Sequence, residues 1–393
     1  MKQSPESVAA HGSTRALAAV AAFFVTNGLS VGVFGGSLPG LRAHLDLGPG
    51  HIVGVLMAAG ITAVLGMNLS GPLSDYSGAR LPSLLGGAVM AVGAVVMGAA
   101  ANYPVLLVGA AIFGFGNGAM DVAMNALGVN VEKARGRPVM SRLHACFSIG
   151  GVIGALVVVV LGQLLDSDVT PRWSMWCSAL IVLSMLAVLV RMTPPSPART
   201  SSDEARGRDP IPPAAWLLAA MAVCFGLTEG TAVDWSSLHV TDVGQVSPSS
   251  GAWGLACVSG FMVVIRLFGD TVVERFGRAN VVRGGSVCAL LGYLFTAFTS
   301  GLPLILFGWC LVGFGVGLIA PQIYGLAGHI GGGRGLAVVV SFGYTAFLVG
   351  PALIGFVAAH SDLQRAMLVP VVTAVGLIVM SARLPADPTE TNA

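Results

Sequence analysis

The chain is 393 residues long, 55% hydrophobic and only 10% charged, with 54 glycines and a formal net charge of +2. A soluble fold of this length cannot wet its surface with 20 basic and 18 acidic side chains, so the mean hydropathy of +0.83 requires lipid around much of the exterior. The near-balanced charge, with no basic stripe, excludes a nucleic-acid-binding surface.

In chain order, apolar stretches fall near 16–38, 50–72, 81–100, 104–128, 143–165 and 173–191, then near 214–236, 251–272, 281–300, 303–327, 335–358 and 365–384. Most are about 20 residues or longer, enough at about 1.5 Å per residue to cross a hydrocarbon core of about 30 Å. The sequence therefore predicts an all-α integral membrane protein of twelve transmembrane helices. The segments expected inside hold sixteen Lys and Arg side chains and the outside loops hold three, Arg42, Arg172 and Arg365. That bias predicts a cytoplasmic N-terminus and a cytoplasmic C-terminus. The stretch 192–213 is rich in Pro, Ser and charge and reads as a cytoplasmic linker between an N-terminal half, 1–191, and a C-terminal half, 214–393.

Two features recur at an offset of 199 residues. Gly114, Gly116 and Gly118 of the fourth span match Gly313, Gly315 and Gly317 of the tenth. Asp75 and Gly78 of the loop after the second span match Glu274 and Gly277 after the eighth. Six helices thus read as copied in parallel, the two-repeat architecture of a transporter with its substrate path between the repeats.

Polar groups inside the spans are the candidates for chemistry, since a carboxylate in hydrocarbon is costly unless it meets water or a partner. Asp121 lies in the fourth span, read as about seven residues from its cytoplasmic end, and shares one helical face with Asn117 and Asn125. It reads as a proton-binding group or as a structural hydrogen-bond partner of a neighbouring helix. His144, at the start of the fifth span, is placed either to relay a proton toward Asp121 or to bind a backbone carbonyl. Glu229 and Asp234 lie in the seventh span as candidates for proton coupling or substrate binding, Glu229 deeper and the cavity residue of the two, Asp234 beside Trp235, which is expected at the membrane interface. Arg266 is the lone basic residue within a span. Helix length puts it roughly 10–15 Å from the depth of Glu229, so no direct pair is expected; a contact with Asp270 or snorkelling accounts for it, and a counter-ion to a charged substrate is the functional alternative. Asn27, Asn117, Asn125, Trp253, Gln322 and Tyr324 are candidates for the substrate cavity, and Pro321 and Pro351 for gating bends.

Six cysteines lie in apolar segments without CxxC or finger-like spacing, so neither a disulfide framework nor a thiolate metal site is expected. There is no GxxxxGK[ST] run or HExxH pair, and the GxGxxG in the fourth span has no strand before it. No cofactor is expected, and no nucleophile, base and orienting group of an enzyme can be assembled.

In GPLSDYSGAR, residues Gly71, Asp75, Gly78 and Arg80 resemble the loop pattern of the major facilitator superfamily. The chain departs from that pattern at Tyr76 and Ala79, and at Asp270 in the second copy. The resemblance implies alternating access, with Asp75 making helix-end and interhelical contacts and Arg80, Arg275 and Arg278 serving as positive partners. Gly71, Gly78, Asp270, Glu274 and Gly277 complete that gating set. The run DVAMNA in the fourth span also resembles the fucose:proton symporter branch, which carries proton coupling to Asp121 and a polar role to Asn125. The first-helix aspartate of that branch has no counterpart among Thr26, Asn27 and Ser30.

Together these readings give a multi-pass transporter of a bacterial inner membrane, monomeric, whose partners are a small solute, protons and the lipid bilayer. An efflux antiporter for drugs or metabolites uses the same fold, although the fifth span lacks the antiporter proline. A membrane scaffold or sensor is the reading without transport.

Overall fold

A computed structural model of the chain describes residues 12–137, 139–194 and 212–384. The predicted linker lies almost wholly outside the described residues, as do Lys2, Arg199, Arg206 and Arg208. The described part is helical throughout and contains twelve helices long and apolar enough to cross a membrane. Leu69, Leu164, Leu180, Phe298 and Val372 are exposed, which suits a lipid-facing exterior.

The chain divides into two compact units. The first comprises Met1–Ala205 with Ser247–Ala252, and the second Arg206–Val246 with Trp253–Ala393.

The first unit holds α1 (Thr14–His44), α2 (Pro49–Ser77), α3 (Arg80–Gly98), α4 (Tyr103–Arg135), α5 (Met140–Leu164) and α6 (Thr170–Met192). Ser13 starts α1 by accepting a hydrogen bond from the Ala16 N–H at 3.1 Å, and Asn102 starts α4 by accepting one from Val105 at 3.1 Å. The short break before Pro104 is therefore a genuine helix start. Gly136, at φ 62°, ends α4 in the left-handed conformation. Glu132 of the last α4 turn then accepts from the Val139 and Met140 N–H groups at 2.7 and 3.1 Å, capping α5.

The second unit holds α7 (Pro213–Gly244), a 3-10 turn (Ser250–Ala252) that groups with the first unit, α8 (Trp253–Leu267) and the short α9 (Gly269–Phe276). It continues with α10 (Arg278–Phe298), α11 (Leu302–Val316), α12 (Ile319–His360), α13 (Leu363–Ala366) and α14 (Leu368–Ser381). The tenth span, Leu302–Ile330, is split between α11 and α12, and the eleventh is Gly335–His360. A Cβ on Gly335 would come 3.5 Å from the Ala327 carbonyl, closer than a straight helix allows for residues eight apart, so α12 bends sharply there.

Packing repeats at the offset read from the sequence. In the first unit α4 packs on α2 and α3; in the second, α11 packs on α8 and α10. A Cβ on Gly114 would strike the Ala59 carbonyl, and one on Gly313 would strike that of Val258, 199 residues further on. Gly116 lies against Met90 and Gly86, and Gly315 against Ala289 and Gly285, again displaced by 199. Glycine is needed at these positions because the backbones approach within the space a methyl group would occupy, a close packing that membrane helices rely on where lipid removes the hydrophobic drive. Gly78 and Gly277 are a further matched pair, at φ 78° and 73°, each joining two helices through a conformation that L side chains avoid.

The gating segments differ from the loops expected. Gly71 to Ser77 lie on the last turns of α2, and Asp270 to Phe276 lie in α9. The second of these helices is amphipathic: Val272 and Val273 pack on Ile265, Val281 and Leu318, while Asp270, Glu274 and Arg275 stay exposed.

Candidate functional site

Within the first unit, α4 runs to Arg135, so Asp121 lies mid-helix, fourteen residues before its end and not seven. The sequence ended the span at a run of small residues, whereas the helix continues through Val131 with the polar residues of its last turns. Asn117, Asp121 and Asn125 share the expected face and are all half-buried. The Asn125 side-chain N–H donates to the Asp121 backbone carbonyl at 2.9 Å and to its carboxylate at 3.3 Å. The small residues of α4 occupy other faces, against α2 and α3, which leaves the polar face for this set. Asn27 on α1 is 1% exposed, and its Nδ2 makes no hydrogen bond among the described residues. The Asn117 Oδ1 is also buried without a donor. His144 of α5 is half-buried and meets the Phe24 ring edge-on at 5.3 Å.

At the ends of the helices, Arg80 donates to the Val190 carbonyl and Arg15 to that of Arg191 at 2.8 Å. Two arginines thus satisfy the last carbonyls of α6, where positive charge also suits the helix dipole. Asp75 is exposed and makes no hydrogen bond or ion pair among the described residues, so the helix-end contact expected of it is made by Arg80. The Arg275 guanidinium lies 5.8 Å from the Phe276 ring centre, and Arg278 begins α10.

The second unit overturns one expectation outright. Arg266 and Glu229 form an ion pair, Nη2 to Oε1, at 3.4 Å, with side chains 10% and 14% exposed. The two residues meet because α7 has 32 residues, about 18 Å more than the hydrocarbon core needs, so distance from Pro213 does not measure depth in the membrane. Arg266 also sits on the last turn of α8, which stops at Leu267 and not near 272. Asp270 lies beyond that break, exposed and with no hydrogen bond or ion pair among the described residues, so it is not the partner expected.

Pro321 explains a second contact of Arg266. A proline cannot donate to the carbonyl four residues before it, and its ring crowds that carbonyl. Here the carbonyl is Gly317, where α11 ends and α12 has yet to begin. Arg266 Nε donates to it at 3.1 Å. The bend expected from Pro321 is thus present, and its freed acceptor holds the arginine that pairs with Glu229.

Near this pair, Tyr293 of α10 bonds to the residue before Glu229, and Tyr324 lies on α12. Tyr293 donates to the Thr228 carbonyl at 2.5 Å, and the Tyr324 hydroxyl stands where a Cβ on Gly343 would fall. Gln322 is buried on α12. Asp234 is half-buried and makes no hydrogen bond or ion pair among the described residues. Trp235 is 2% exposed and its indole N–H has no partner among the described residues, so it is not the interfacial anchor expected; its neighbours in the sequence suggested an interface, but α7 continues for nine residues beyond it. Trp253, at the start of α8, is exposed.

The sequence reading missed Tyr293 and His239. His239 Nε2 meets the Thr296 carbonyl at 3.1 Å, and its ring is edge-on to Trp309, which is edge-on to Tyr293. The signal was available in TEGTAVDWSSLH, where His239 follows Glu229 on the same apolar helix, but its partners come from α10 and α11.

The family model of the Major Facilitator Superfamily matches residues 20–331. An uncharacterized transporter y4wD of Sinorhizobium fredii is 31% identical over 88% of this chain and 92% of its own length. Two solved structures share the fold. A point mutant of the nucleoside transporter NupG has a TM-score of 0.74 and 12% identity over 93% of this chain and 99% of that one. A point mutant of the E. coli fucose:proton symporter FucP has a TM-score of 0.63 and 17% identity over 94% and 98%. The fucose:proton branch is therefore one neighbour among several and not singled out. The chain belongs to the major facilitator superfamily and is a multi-pass membrane transporter that moves a small solute by alternating access.

Proposed function

We propose that this transporter is a proton-coupled symporter in which the Glu229–Arg266 pair is the element that a proton disrupts. The pair itself carries the reading. Two opposite charges held at 3.4 Å inside apolar spans stabilise one arrangement of α7, α8 and the α11–α12 break. A proton on Glu229 removes the attraction and leaves Arg266 with the Gly317 carbonyl, which biases the unit toward a different arrangement. Asp121, held by Asn125, is the corresponding proton-binding carboxylate of the first unit, with His144 as its relay.

Asn27, Asn117, Asn125, Gln322, Tyr324 and Trp253 supply the solute contacts. Residues Gly71, Asp75, Gly78 and Arg80, with Asp270, Glu274, Arg275, Gly277 and Arg278, form the gating set that reorganises between states. Sixteen inside cations against three outside support cytoplasmic termini in a bacterial inner membrane. The protein acts as a monomer.

The test is solute-dependent proton movement in liposomes holding the purified protein, with Glu229→Gln and Asp121→Asn variants alongside. Inward proton flux with solute, lost in the variants, is the expected result. Outward flux on solute entry identifies an antiporter. Flux unchanged in both variants removes both carboxylates from coupling.

A further inference from the structure

We infer that the first unit carries a recognition layer for a neutral, polyhydroxylated solute, built on the Asn27 and Asn117 amides. This rests on the reading of the chain as a solute transporter and names the class of solute. Successive spans alternate in direction, so α1 and α4 run antiparallel. Their register is set by the Phe34 and Phe113 rings, stacked at 5.0 Å between centroids. From that contact Asn27 lies seven residues back along α1, about 10.5 Å, and Asp121 eight residues forward along α4, about 12 Å. Asn117 lies one turn nearer the ring pair, level with Ser30. Ser30 already has a partner, with its hydroxyl 3.3 Å from that of Ser178.

Asn27 has none. The residue is 1% exposed within an apolar helix, with an Nδ2 that finds no acceptor, while Asn117 on the facing helix presents an Oδ1 that finds no donor. Unpaired amide groups in a membrane interior are costly, so an arrangement that leaves both unmatched is disfavoured. A ligand that supplies both missing partners removes that cost and favours closure around itself.

The chemistry of the missing partners selects the ligand. A hydroxyl accepts from Asn27 and donates to Asn117 at the same time, and it does so whichever way either amide is turned. A carboxylate only accepts, leaving Asn117 unmatched, and it meets the negative Asp121. An ammonium only donates, leaving Asn27 unmatched. A solute with several adjacent hydroxyls and no charge is the class that satisfies the layer. Asn125 stays engaged with Asp121 and is not required for it.

The experiment measures binding of sorbitol, myo-inositol, gluconate and glucosamine to the full purified chain by calorimetry, for the wild type and for Asn27→Val and Asn117→Leu. Sorbitol or myo-inositol is expected to bind in preference to the acid and the amine, with affinity falling tenfold or more in each variant. Because the Asn27 Nδ2 and the Asn117 Oδ1 have no partner among the described residues, the melting temperature without solute should stay level or rise. Asn27→Ser and Asn117→Ser keep a donor and acceptor and should retain part of the affinity. Preference for gluconate or glucosamine, binding of none of the four, unchanged polyol affinity in the variants, or collapse of their fold would each overturn the proposal. Acid-driven proton flux would sink the solute class and leave coupling standing, whereas polyol binding without proton movement would do the reverse.

Discussion

Neutralising one member of the Glu229–Arg266 pair should damage the protein more than neutralising both. At 3.4 Å and an effective dielectric of about 20, the two charges attract by about 5 kcal/mol. Both side chains are nearly buried, so water cannot replace the lost partner. Glu229→Gln leaves Arg266 charged against the Gly317 carbonyl, and Arg266→Met leaves Glu229 charged and nearly buried within an apolar helix. Each single change is expected to cost about 3–5 kcal/mol. The double variant removes both charges with little change in volume and should cost less than either single one, so the coupling energy should be about 3 kcal/mol or more. Denaturant titration of the four proteins in one detergent, followed by intrinsic fluorescence, reads this directly. A double variant as destabilised as the sum of the singles would refute the reasoning, because the charges would then be solvated independently. The same proteins in liposomes separate stability from transport, since a well-folded double variant should bind solute yet move no protons with it.

Two further outcomes follow from the packing. Gly114→Ala and Gly313→Ala should each cost about 1–3 kcal/mol, because the added methyl meets a facing backbone carbonyl, whereas Gly284→Ala has open space and should be neutral or stabilising by up to about 1 kcal/mol. Thermal unfolding of the three variants checks the ranking, and equal effects at all three would remove the close-approach argument. Glu132→Ala should lose about 1 kcal/mol of capping and speed hydrogen exchange at Val139 and Met140 while leaving the middle of α5 protected.

Membrane spans, their number and the repeat were legible in the residues because lipid imposes a one-dimensional rule: a helix must be apolar over a fixed length. The glycine register was legible for a related reason. A position that admits no Cβ is visible in the sequence as glycine, so Gly114 and Gly313 announced the same backbone contact 199 residues apart. Asn117, Asp121 and Asn125 were readable as one face because four-residue spacing is a property of a single helix.

Side-chain partnership between helices was not readable in this way. Glu229 and Arg266 are 37 residues apart, and their meeting depends on how far α7 overshoots the core, where α8 stops and how far an arginine reaches. The role of Arg80 likewise depends on α6 ending beside it, which no local pattern around GPLSDYSGAR encodes. Trp235 looked like the end of a span until the turns beyond it and the neighbours around it made it interior. The sequence by itself determined which segments cross the bilayer and which backbones can touch, since both follow from composition along one chain. Only the tertiary structure decided which buried charges are paired and which amides are left without partners, because a hydrogen bond or ion pair is made within about 3.5 Å and a residue of helix rise is already about 1.5 Å.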